Sequence, residues 1–195
     1  MWVIERPWTT TVGTGIFYDD VFCYTGHAVR MPQQTGQAPA VIWKMTADEF
    51  EQLGDVHGPQ GWHGYGSPVK VGNVVYYHQE KRKVSGIDAA TGKILHVTEV
   101  SAQSSGEIYP SATAAGGYLF CSGVKGFTTV LQVQRDGTLK FVAMSTLRDA
   151  DDRTQWRGNL GGNMLVFSGD KVYVHFADRL ACIGGLQSGA KAGPE

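Results

Sequence analysis

The chain has 195 residues, with 17 Lys and Arg against 18 Asp and Glu and a formal net charge of -1, a length that allows one well-buried core. Charged residues make up 18% and hydrophobic residues 42%, which excludes a solvated disordered chain and the basic footprint of a nucleic-acid binder. Glycine is abundant at 26 residues, but there is no G-x-y period, and no apolar run reaches the ~18 residues that a membrane-spanning helix needs.

In chain order, the opening MWVIERPWTT has neither a basic start nor an apolar stretch of ~7–15 residues, so no signal peptide is expected in it. Trp2-Val3-Ile4 reads as an isolated outer strand within residues 1–7. A paired signal follows, with GIFY and VFCY flanking Asp19-Asp20. The arrangement returns as PVKV and VVYY about Gly72-Asn73, ATAA and YLFC about Gly116-Gly117, and LVFS and KVYV about Gly169-Asp170. Three of the four are strong signals for two-residue hairpin turns, because Gly and Asn accept the positive φ that such turns require. The turns begin at positions 19, 72, 116 and 169, at intervals of 53, 44 and 53 residues. With insertions, that is the size of a four-stranded β-propeller blade, ~40–45 residues.

A second turn signal follows about twenty residues later, at Pro39, Gly92 and Gly137. Four residues beyond each stands a ring: Trp43, His96 and Phe141. Each ring is expected on an outer strand, docked against the neighbouring blade. Between the first and second units, Thr46 and Glu49 form a capping box and Phe50 and Leu53 share a face before Gly54, predicting a short helix over residues 47–53. The fourth unit offers three strands and then dissolves into GGLQSGAKAGPE, so residues 188–195 are expected to be a flexible tail. Trp2 would supply the missing ring if residues near 2–6 pair beside residues near 179–183. The expectation is an all-β fold: one propeller domain over 1–187, with four-stranded antiparallel blades near 13–45, 66–100, 110–144 and 162–185. A closed four-blade ring, a two-chain eight-blade ring and a fragment of a longer propeller all remain open.

Cys23, Cys121 and Cys182 lie singly in apolar runs and read as small buried hydrophobes. The densest polar-aromatic cluster is DVHGPQGWHGYGSP, with His57, Trp62, His63 and Tyr65 within one loop. It reads as a packing loop or as a ligand or partner rim. His57 and His63, with His78 as a third, are a weaker candidate for imidazole metal ligation, because their spacing matches no common zinc pattern. Trp156 and Arg157 precede the last unit as Trp62 and His63 precede the second, and Glu107 and Tyr109 occupy the approach to the third. Arg157 can hold an anion bidentately or pair with Asp149, Asp151 or Asp152. Together these approach segments define one candidate rim. Lys81-Arg82-Lys83 reads as a solvated turn, and no GxSxG, HExxH or P-loop pattern is present.

GSPVKVGNVVYYHQ followed by GIDAATGKIL resembles the repeat of the PQQ-like, quinoprotein-dehydrogenase-like β-propellers. Asp88, Gly92 and Lys93 match its tryptophan-docking motif, while Gly86 stands at the opening Ala and His96 at the closing Trp. Trp43 keeps the ring, and YPSATAAGGYLFCSG and GDKVYVHFADRLACIG resemble blade openings, so the resemblance covers about residues 13–185. It implies a propeller and leaves activity open, since the family spans alcohol dehydrogenases, an outer-membrane-assembly scaffold lipoprotein and sensor domains. The extracytoplasmic placement of such proteins is implied by resemblance alone. The quinone site of the family's enzymes implies vicinal cysteines and a calcium ligand set, which this sequence lacks. The expectation is therefore a non-catalytic binding or scaffold module with no cofactor or metal, whose partner is another protein or a second copy of the chain. The alternatives are part of a PQQ-dependent dehydrogenase and a ligand-sensing domain that uses the His- and Trp-rich rim.

Overall fold

The computed structural model describes residues 14–24, 26–52, 67–79, 83–100, 111–122, 127–146, 164–175 and 180–184. The first sheet runs β1 (Ile16–Tyr18), β2 (Val21–Tyr24), β3 (His27–Arg30), β4 (Ala40–Lys44), and neighbours in sequence are neighbours in the sheet. The second is β5 (Val69–Val71), β6 (Val74–Gln79), β7 (Lys83–Asp88), β8 (Ile94–Glu99), and the third β9 (Thr113–Ala115), β10 (Tyr118–Ser122), β11 (Phe127–Val133), β12 (Leu139–Thr146). The fourth has three strands among the described residues, β13 (Met164–Ser168), β14 (Lys171–His175) and β15 (Leu180–Gly184). All pairings are antiparallel meanders, as short connections demand. Between the first two sheets lies α1 (Ala47–Gln52). Its capping box is formed: the Thr46 N–H donates to Glu49 Oε2 at 2.7 Å, and the Glu49 N–H donates to Thr46 Oγ1 at 3.3 Å.

The four first turns share one corner geometry. Their leading residues all have positive φ: Asp19 at 51°, Gly72 at 56°, Gly116 at 57° and Gly169 at 59°. Asp19 is the non-glycine among them, and Asp tolerates this region better than most residues. Three of the turns are then locked to the third strand in the same way. The carbonyls of Asp20, Asn73 and Gly117 accept from the N–H groups of Met31, Ala89 and Val133 at 2.7, 2.9 and 2.9 Å.

A β-bulge recurs on each described fourth strand. Register shifts fall between Ala28 and Val29, Gly86 and Ile87, and Val130 and Leu131, which leaves Ile42, Leu95 and Val142 as the extra residues. Counted from the bulges, Trp43, His96 and Ala143 share one position, opposite Ala28, Gly86 and Val130. This corrects the assignment of Phe141. Phe141 pairs with Leu131, as Ile94 pairs with Ile87, and it is 54% exposed. The strands of the third unit extend further beyond the bulge before turning, so four residues past Gly137 falls two short of the ring position.

The sheets stack face to face in sequence order, the packing of a β-propeller. β6 explains how: in VVYYHQ the side chains of Val75 and Tyr77 pack with Val21, Cys23 and Trp43 of the first sheet. Those of Val74 and Tyr76 pack with Leu119, Cys121 and Leu131 of the third. A strand buried on both faces needs an unbroken apolar run. The third and fourth sheets meet through Leu165 and Val174 with Phe120 and Phe167, whose ring centroids are 4.6 Å apart. Residues 1–13 and 185–195, on which ring closure through the termini depends, lie outside the described residues.

Candidate functional site

Antiparallel order gives the stack two unlike ends. At one end lie the tight first turns and the second turns, such as Ala89 to Lys93 and Gln134 to Thr138. At the other, strands β1, β5, β9 and β13 begin and the fourth strands of the first three sheets finish. This approach end is held by hydroxyls. The Thr14 N–H donates to Ser67 Oγ at 2.9 Å, their side-chain oxygens are 2.8 Å apart, and the Ser67 N–H donates to Ser111 Oγ at 2.8 Å. Thr14, Ser67 and Ser111 hold the same position two residues before the first strand of successive units.

Buried polar side chains concentrate at the same end. His27, His78, Ser85, Ser122, Thr128 and Thr129 sit where second strands finish and third strands begin. Ser122 Oγ and Thr128 Oγ1 are 3.1 Å apart. The serine and threonine hydroxyls among them carry no charge. The thiols nearby are held neutral: burial pushes Cys23 up to about 11 and Cys121 up to about 12. Burial likewise raises Tyr18 and Tyr77, and Cys23 Sγ lies 3.2 Å from the Tyr77 hydroxyl, which donates to the Tyr24 carbonyl at 3.1 Å. Thiols that stay protonated at neutral pH are poor nucleophiles. Among the described residues no cluster of three or more His, Cys, Asp or Glu is placed to hold a metal.

The docking positions are geometrically explicit. Trp43 is buried on the next sheet, its indole Nε1–H donating to the Ala89 carbonyl at 3.0 Å. Gly92, at φ +75°, lies beneath the ring: a Cβ there would stand 2.7 Å from Trp43 Cγ. One unit on, His96 Nε2 lies 2.7 Å from the Gly137 carbonyl, which makes that nitrogen the donor. A Cβ on Gly86 would collide with the His96 imidazole, so the glycine at the motif's opening makes room for the ring that stands in place of tryptophan. The Gly137 carbonyl also accepts from the Tyr76 hydroxyl at 2.7 Å.

The rim residues His57, Trp62, His63, Tyr65, Glu107, Tyr109, Trp156 and Arg157 lie outside the described residues, as do Trp2 and Lys81-Arg82. His78 is buried at the end of β6. Two features escape the sequence reading. The hydroxyl chain has a signal that could have found it, Thr or Ser at a constant phase before each unit. The second donor on Gly137 comes from β6, one strand removed from the docking motif, and has no local signal.

No family model and no curated protein matches the chain. Solved structures do. BamB from Moraxella catarrhalis is similar at 17% identity and a TM-score of 0.55, over 94% of this chain and 50% of that one. The β-propeller domain of Cps50 (Swd1) from Myceliophthora thermophila gives 16% and 0.53, over 81% and 49%. A quinohemoprotein alcohol dehydrogenase, ADHIIG, from Pseudomonas putida HK5 gives 14% and 0.53, over 88% and 29%. The fold is a β-propeller fold. The chain spans about half the length of the first two proteins and under a third of the dehydrogenase.

Proposed function

We propose that this chain is a non-catalytic propeller module that binds a macromolecular partner at its approach end. The observation that carries the reading is the asymmetry of the stack. At one end the first strand of every sheet begins and the fourth strands of the first three sheets finish, beside buried hydroxyls and imidazoles, while the first and second turns lie at the other. Loops on a rigid scaffold are where recognition residues concentrate. Burial holds the Cys23 and Cys121 thiols in their unreactive form. A hollow of about 690 Å³ at the opposite end is walled by the single loop Pro32–Ala38, which has no ionisable side chain.

The experiment is twofold. Pyrroloquinoline quinone with calcium is expected to leave the melting temperature unchanged and to give no dye-linked alcohol oxidation; cofactor-dependent oxidation would establish the dehydrogenase reading instead. Cross-links from a captured macromolecule are expected to map to residues 53–66, 101–110 and 147–163. Cross-links confined to the turn end would overturn the placement of the rim.

A further inference from the structure

The repeat has left two half-interfaces without partners among the described residues. Every internal junction joins the forward face of one sheet to the rear face of the next. In the second sheet the forward face includes Val69, Tyr76 and Val84, which pack with the third sheet. By register the corresponding residues of the fourth sheet are Val166, Tyr173 and Leu180. There Val166 is 53% and Leu180 65% exposed. At the other extreme, the rear face of the first sheet presents Phe17, 64% exposed, and Val41, 60% exposed. Their counterparts are Phe167, packed on the third sheet, and Ile94, packed on the first.

The geometry points to a second copy of this chain as the occupant of both faces, in a head-to-tail dimer. The forward face of sheet four in each copy would meet the rear face of sheet one in the other, continuing the internal junction. One contact can be named from the repeat. Phe120 and Phe167 pack between sheets three and four with their ring planes 45° apart, and their counterparts one step on are Tyr173 and Phe17. Phe17 of one copy therefore packs against Tyr173 of the other. A head-to-tail interface closes only if its rotation completes a ring.

Sedimentation velocity of the full chain at micromolar concentration tests this. The wild type is expected at twice the chain mass. Phe17→Glu and Leu180→Glu, each placing a charge on one half-interface, are each expected to raise the dissociation constant at least ~10-fold. An equimolar mixture of the two variants should recover dimer, because one of its two junctions is wild type on both sides. A wild-type monomer, a polydisperse polymer, or sensitivity to Phe17→Glu without sensitivity to Leu180→Glu would overturn the proposal. Cys182 gives a check that needs no variant. It is exposed in the single chain on the same forward face, so its thiol should be labelled faster on dilution, and a rate independent of concentration would also overturn the dimer.

Discussion

Gly92 shows how a single residue carries an inter-sheet contact. Its positive φ of +75° serves the turn of its own sheet, and its missing side chain admits Trp43 of the sheet before. Gly116 separates the two roles, because it has φ +57° and a Cβ added there would meet nothing within 4 Å. Gly116→Ala should therefore cost only the left-handed penalty of about 1–2 kcal/mol. Gly92→Ala should cost at least about 2 kcal/mol more, since the ring must withdraw and overpacking adds to the backbone strain. Urea denaturation of the two variants measures the difference, and equal costs would mean that Trp43 is not seated there. Asp88 organises the same turn, accepting from the Ala90 N–H at 3.1 Å and from the Thr91 N–H and hydroxyl at 2.8 Å. The bonds from Thr91 hold its carboxyl below the usual range.

At the scale of elements, two donors of sheet two share one carbonyl of sheet three. Gly137 O accepts from His96 on β8 and from Tyr76 on β6. Either donor alone keeps that oxygen satisfied, so His96→Phe and Tyr76→Phe should each cost about 0.5–1.5 kcal/mol. The double variant leaves the carbonyl with neither, and should exceed the sum of the singles by about 1 kcal/mol in a double-mutant cycle. Strict additivity would show that the two bonds do not share an acceptor in solution. The strands and their first turns were legible because alternation and Gly-Asn or Gly-Gly pairs are local signals. The third docking position was not. Its offset depends on where a bulge falls between β11 and β12, which cross-strand pairing decides and residue counting from Gly137 cannot follow.

At the scale of the molecule, the propeller stack was readable from the period of its turns, because each sheet repeats one corner geometry. Trp43 and His96 stand out in sequence as rings at a fixed phase, and both lie on the following sheet. The buried polar set beneath the approach end was less legible, since His27, Ser85 and Thr129 sit on different strand positions with no shared motif. The cores also differ in size. Among the described residues, sheet four meets sheet three through fewer buried residues than join sheets one, two and three, and its other face is the one left for a second copy.

The account rests on the first and second sheets each seating a side chain in the glycine turn of the next, and proton NMR of the Gly92 α-protons reads that seating most directly. With the Trp43 ring against them, these protons should be shifted upfield by the ring current and should show cross-peaks to the indole. Gly137, where an added Cβ would stand 2.6 Å from a Val74 methyl, should show cross-peaks to that methyl. Gly92 α-protons at ordinary glycine shifts, with no cross-peak to Trp43, would contradict the stacked arrangement.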